Sequence, residues 1–388
     1  RRKRMIYADN AATTPVSQTA LEAMLPYFSE EYGNPSSLYS AGRRAKKALE
    51  TARETVASCL NAHPEEIFFT SGGSESDNWA VKMAARNGKK DGKTHLLATA
   101  FEHHAILRSL DALEREGFSV TLLPVGENGI IRPKDVEAAL RPETALVSVM
   151  TANNEIGTVQ PIAEIGNLCQ KHHVPFHTDA VQAAGILPLD IRALGVDFLS
   201  LSAHKFHGPK GVGALFIRRG SGLSRMIDGG AQERGLRAGT ENTAGISGLA
   251  AALQESCYRM SETAARLSSL RDRLIEGALD ISGARLNGDP VRRLPGNVNL
   301  SFENVDGEAL LLLLDRNGIC ASAGSACTAG SLEPSHVLRA IGLPPELAQG
   351  SLRLTLSGQN TEAEIDEILR VLPEAVRRVR SFSACKGE

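Results

Sequence analysis

The chain reads as an α/β protein: a large, mainly parallel sheet covered by helices on both faces, followed by a smaller α/β unit. Helical patterns alternate with short β runs from about Glu65 to Arg219, the mark of a sheet flanked by helices. Ala250 to Leu279 then reads as long helical material. Beyond it, Asn297 to Phe302, Ala309 to Ile319, Ser351 to Ser357 and a helix over Glu362 to Arg380 form a second, smaller set. At 388 residues and 42% hydrophobic content, there is enough apolar material for a core divided between two domains. The expected division is 15–256 for the large domain, and 1–14 with 257–388 for the small one.

Taken in chain order, Thr70-Ser71-Gly72-Gly73-Ser74-Glu75-Ser76-Asp77 sets a glycine pair before a helix expected over Glu75 to Arg86. A helix start with Gly73 and Ser74 suits an anion such as phosphate, and Ser74 with Asp77 also resembles a capping box. No Gly-Lys-Ser/Thr follows and no G-x-G-x-x-G opens a helix, so a nucleotide site has little support. Val174 to Thr178 is a short strand pattern ending at Asp179. That carboxylate serves either as a cap for a helix through Ala180, Val181 and Ala183, or as a counter-charge to a bound cation. Gln182 projects from the same face if a helix begins there.

Asp197 to Leu201 is the next strand, and Ser202-Ala203-His204-Lys205-Phe206-His207-Gly208-Pro209-Lys210-Gly211 follows it. An amine at the end of a buried strand has restricted motion and a pKa that burial lowers, so Lys205 suits attack on an aldehyde such as that of pyridoxal phosphate (PLP). Lys210, between Pro209 and Gly211, reads as a solvated turn residue. On this reading Asp179 keeps the cofactor's ring nitrogen protonated. The spacing from Asp179 to Lys205 accommodates one helix and one strand, which would set two strand ends side by side.

Ala321 to Pro334 is a run of small residues around Cys327, predicted to be a mobile loop with an exposed thiol. Cys59, Cys169 and Cys257 fall in helical patterns, Cys320 ends a strand, and Cys385 lies in a polar tail. A net charge of −2 gives no reason to expect nucleic-acid binding. The longest apolar stretch, Ala309 to Leu314, is too short for a bilayer. Tyr7 to Thr14 is no signal-peptide core, so a cytoplasmic protein with reduced thiols is expected.

These segments stand with Tyr7-Ala8-Asp9-Asn10-Ala11-Ala12-Thr13-Thr14-Pro15, Glu102-His103-His104, Asn153-Asn154-Glu155-Ile156-Gly157, Arg237-Ala238-Gly239-Thr240-Glu241-Asn242 and Gly324-Ser325-Ala326-Cys327. Together they resemble the cysteine desulfurases of the NifS/IscS type with a long active-site loop, within the aspartate-aminotransferase-like, fold-type-I PLP enzymes. The resemblance covers nearly the whole chain. It implies that Lys205 forms the Schiff base, Asp179 pairs with the ring nitrogen, Gln182 contacts the phenolic oxygen, and His103 stacks on the ring and assists proton transfer. It further implies a phosphate and cofactor shell of Gly73, Ser74, Ser202 and His204, with Thr240 reaching the phosphate across a homodimer interface.

Asn154 and Arg353 match the residues that hold the substrate carboxylate, and Cys327 matches the nucleophile that receives sulfur from L-cysteine. An iron–sulfur scaffold or another sulfur acceptor is the implied partner, and transient iron–sulfur ligation by Cys327 is the one metal role left open. Two other readings use the same residues. One is a selenocysteine lyase or related PLP enzyme, the other a sulfur carrier built on Cys320 and Cys327.

Overall fold

The computed structural model describes residues 5–323 and 334–384. Its strands are, in chain order, β1 (Ile6–Tyr7), β2 (Ile67–Thr70), β3 (His95–Thr99), β4 (Ser119–Leu123), β5 (Thr144–Ser148), β6 (Phe176–Asp179), β7 (Phe198–Ser202), β8 (Gly213–Ile217), β9 (Ala284–Leu286), β10 (Asn297–Phe302), β11 (Ile319–Cys320) and β12 (Ser351–Thr355). Seven of them form one sheet in the order β2-β8-β7-β6-β5-β3-β4. The pairings among β4, β3, β5, β6 and β7 are parallel, as the alternation of helices and strands predicts.

β8 runs against both neighbours, β7 and β2. The two reversals cancel, so β2 points the same way as β7, and Thr70 and Ser202 both pair with Gly213 at one edge. Every residue of β5 to β8 is buried, as interior strands covered on both faces require. Helices Gly73–Lys90 and His104–Arg115 cover one face. Ser40–Leu60, Ile162–Lys171 and the start of Thr243–Leu279 cover the other.

No helix follows Asp179. Residues 180–186 form successive turns, closed by bonds from the Ala183 and Ala184 amides to Ala180 O. Gly185, at φ +73°, ends the run. The helix between β6 and β7 is only Ile191–Leu194, capped by the Asp190 carboxylate.

β12, β10 and β9 make a separate antiparallel sheet, and β1 pairs in parallel with β11. Single bridges from Asp9 to Thr355 and from Ser322 to Arg353 tie that pair to β12. The helix Thr243–Leu279 begins seven residues before the reading from sequence and serves two cores. Ile246, Leu249 and Leu253 pack under the large sheet, while Leu267, Leu270 and Leu274 pack with Val298, Leu300 and Leu352 of the small one. Among the described residues no helix is long and apolar enough to cross a membrane.

One buried ion pair secures the segment leading to Thr240. Arg53 donates to both carboxylate oxygens of Glu233 at 2.8 and 2.9 Å, and both side chains are shielded from solvent. Glu233 also accepts from Phe69 N, which binds it to β2. Arg53→Met leaves that carboxylate buried without its cation. The expected cost is about 3–5 kcal/mol, read as an earlier urea unfolding midpoint; an unchanged midpoint would contradict it.

Candidate active site

The ends of β2, β3, β5, β6 and β7 share one edge of the large sheet, where the chain is free to turn toward a ligand. At the end of β2, Gly72 caps the helix Gly73–Lys90 with φ +148°, and no side chain completes the cap. The Ser74–Asp77 capping box expected from sequence therefore does not form. The helix starts two residues earlier than read, and Ser74 sits inside its first turn, where Asn78 Nδ2 donates to its carbonyl at 2.8 Å. The first-turn amides stay available to an anion.

Close packing explains the glycines. A Cβ on Gly73 would stand 2.7 Å from Val181 Cγ2, and one on Gly213 would stand 2.6 Å from Gly72 Cα. The Ser202 hydroxyl lies 3.6 Å from where a Cβ of Gly72 would be.

Asp179, at the end of β6, is buried and accepts from Val181 N at 2.9 Å. Burial lifts its carboxyl to about 6, against the pull of the Val181 amide and of Lys205. Asp77 lies beside it on the buried face of Gly73–Lys90. Its Oδ1 has no hydrogen-bond partner and stands 3.6 Å from His177 Nε2. Burial, then the nearby Asp179, raise the Asp77 carboxyl well above the usual range.

His177 gives Asp77 no cation. Its two ring nitrogens bond the hydroxyls of Ser148 at 2.9 Å and Ser200 at 3.0 Å, and burial holds its pKa near 3. Asp77, Asp179 and His103 each bring a polar atom within 4.8 Å of the other two. His103 caps the helix His104–Arg115 by accepting the Ala105 amide on Nδ1 at 3.2 Å. Burial, then Lys205, lower its pKa to about 4, so the ring is neutral at physiological pH.

Lys205 lies just past β7, in the short turn Ala203–Lys205. Its Nζ donates to the carbonyls of Ala11 at 2.5 Å and Ala12 at 2.9 Å, and Gln182 Nε2 donates to Ala11 O at 3.1 Å. The N-terminal segment is held over this point by Thr14 N and Oγ1, which donate to His204 O, and by the contact of His204 Nδ1 with Thr13 Oγ1. Burial, then Lys205, lower the His204 pKa to about 4. Lys210 is exposed, as expected. A cavity of about 380 Å³ reaches Lys205 and Gln182 from the side of Arg259 and Arg266; Asp179, His103 and Arg353 do not line it.

Arg353, on β12, is 2% exposed. It donates to Asp9 Oδ1 at 2.8 Å and to the main-chain carbonyl of Asn154 at 3.0 Å, while its Nε has no partner. Asn154 is half-buried. Thr240 is exposed, and among the described residues no hydrogen bond ties it to this cluster. Cys327 lies outside the described residues, as do most of the expected loop and Cys385.

Sequence reasoning missed two parts of this site: the Asp77–His177 floor and the Asp9 partner of Arg353. The first had a signal, since Asp77 shares the buried helix face with Ser76, Trp79 and Ala80. The second depends on the segment just after β1 meeting β12, with Asp9 and Arg353 344 residues apart, which no local pattern encodes.

The aminotransferase class-V family model matches residues 6–368. A cysteine desulfurase IscS of Clostridium botulinum (strain Hall) is 54% identical over 98% of this chain and 96% of that protein. One of Methanosarcina thermophila is 51% identical over 97% and 93%. Among solved structures, a NifS-like protein superposes with a TM-score of 0.91 at 39% identity, covering 96% of this chain and all of that one. SspA, solved in complex with cysteine, gives 0.81 at 39% identity over 92% of this chain and 100% of that one. The large mixed sheet, the small sheet and these end-to-end matches agree, and the chain belongs to the class-V aminotransferase family, among its cysteine desulfurases.

Proposed function

We propose that this chain takes sulfur from L-cysteine, releases L-alanine, holds the sulfur as a persulfide on Cys327, and passes it to an acceptor protein for iron–sulfur cluster assembly or another thiolation. The reading rests chiefly on Asp179, Lys205 and the uncapped helix start at Gly73 meeting at one sheet edge. Its relatives are typically PLP-dependent, and the donors here suit that cofactor. The amides at Gly73 and Ser74 with the Ser202 hydroxyl suit a phosphate, and His204 lies close by. Buried Asp179 suits a protonated ring nitrogen, the Gln182 amide a phenolic oxygen, and the neutral His103 ring a stacked face.

When bound, the cofactor supplies an electron sink for the charge left on the substrate's Cα. Asp179 keeps the ring nitrogen's proton in place, because a buried carboxylate is stabilised by an opposite charge. Arg353 would take the substrate carboxylate beside Asn154 with the terminal N–H bonds that Asp9 and the Asn154 carbonyl leave over, in the planar geometry a guanidinium offers. Lys205, with its amine free, would be the base for the Cα proton.

Cys327 attacks the substrate Sγ as a thiolate. The Cβ–Sγ bond breaks, its electron pair goes to Cβ, and protonation there together with return of the Cα proton from Lys205 yields alanine, while the sulfur stays on Cys327 as a persulfide. His103 accepts the Ala105 amide on Nδ1, so its neutral ring carries a proton on Nε2, which it would give up to the substrate before taking the thiol's proton in its place. Purified protein fed L-cysteine and a reductant should release alanine and sulfide in equal amounts. Alanine without sulfide would sink the reading.

A symmetric homodimer belongs to the same proposal, with Thr240 completing the partner's phosphate site. Thr240 is exposed, and so are the large apolar side chains of Leu25, Phe28, Tyr32, Leu38 and Tyr39. Thr240→Ala should weaken cofactor retention by about threefold to tenfold, the worth of one hydrogen bond. An active monomer in sedimentation would rule the arrangement out.

A further inference from the structure

The peptide that carries His103 is held from a distant part of the chain. The Glu102 carboxyl accepts from Thr99 Oγ1 at 2.5 Å and from Met150 N at 3.0 Å, which fixes its side chain. Its main-chain carbonyl, one residue before His103, bonds His336 Nε2 at 2.9 Å. His336 also packs its ring against His104, with centroids 4.6 Å apart. Next to it, Ser335 Oγ donates to Glu155 Oε2 at 2.5 Å, and Glu155 directly follows Asn154, whose carbonyl receives Arg353. The dipeptide Ser335–His336 thus grips both the turn bearing His103 and the turn bearing Asn154.

A carbonyl can only accept, so His336 carries its proton on Nε2 and donates it. Burial lowers the His336 pKa and favours this neutral form. The bond fixes the peptide at the point where His103 turns into its helix, and with it the direction of the His103 ring. A ring relaying protons must be held within a fraction of an ångström of its working position.

We propose that His336 is a positioning residue for this reaction: by donating to the Glu102 carbonyl it aims His103 at the reacting atoms. The inference rests on the proton-relay role of His103 given above. Neither His336 nor Ser335 carries a role in the reading from sequence.

The test uses the holoenzyme and three variants. In His336→Ala, kcat for alanine formation should fall by about tenfold, well inside the loss that a 1 Å misplacement causes. The dissociation constant for L-cysteine, read from the cofactor spectrum, should stay within about twofold, since no substrate-holding residue is touched. His336→Gln presents an amide N–H close to the position of Nε2 and should restore kcat to within about twofold of the parent. In the holoenzyme, amide exchange at His103 to Ala105 should also quicken in His336→Ala and return toward the parent rate in His336→Gln.

His103→Ala separates the two layers of argument. A large loss in His103→Ala with none in His336→Ala overturns the positioning role alone. Full activity in His103→Ala overturns the relay and the positioning role together. Equal losses in the Ala and Gln variants, with exchange unchanged, would show that the Glu102 bond does not set the ring.

Discussion

Replacing Lys205 with alanine is expected to cut turnover by at least about 10²- to 10⁴-fold, the range a single positioned acid–base group supplies. Lys205 has three features that Lys210 lacks: a half-buried position just past β7, a Nζ held by two carbonyls, and a location beside Asp179 and His103. Both of those bonds run to main-chain carbonyls of the N-terminal segment. Borohydride reduction and peptide mapping of the parent protein should find pyridoxyl on Lys205. The exposed Lys210→Ala variant should keep its activity. Label on Lys210, or a Lys205→Ala protein with full turnover, would remove Lys205 from the mechanism.

Cys327→Ser is expected to divide the chemistry. The variant should still bind L-cysteine and shift the cofactor spectrum, because Lys205, Asp179 and Arg353 are untouched, yet it should form no persulfide and release little alanine. Cys320→Ser should remain active. Cys320 is half-buried in β11, and burial followed by Asp315 and Asp9 pushes its thiol pKa up. A raised pKa starves it of the thiolate that would attack sulfur. Cys327→Ser should move stability by no more than about 0.5 kcal/mol if the thiol is exposed, as the small residues around it predict. Normal turnover in Cys327→Ser would sink the sulfur-transfer step. Loss of turnover in a folded Cys320→Ser would move the nucleophile or a relay to that residue.

Local chemistry made part of the site legible. Asp179 and Lys205 each follow a short apolar run, and strand ends are where a chain can offer a side chain to a ligand. The same logic misjudged what comes next. Ala180 to Gln182 looked helical, but Gly185 at φ +73° closes the segment as turns. Likewise, Ser74 and Asp77 have capping-box spacing, yet the helix begins at Gly73, so Asp77 turns inward toward Asp179 instead.

By itself the sequence determined the alternation of strands and helices, the order of the functional segments, and the residue types able to hold a phosphate, a ring nitrogen and a carboxylate. These depend on periodicity and neighbouring residues, which act over a few positions. Only the tertiary structure decided that β8 reverses, that β2 thereby brings Gly73 to the same edge as Ser202, and that Asp9 pairs with Arg353 across the chain. It also decided that His336 grips the peptide before His103. Those contacts join residues far apart in sequence, and their energies come from burial and hydrogen bonding that exist only once the two sheets have packed.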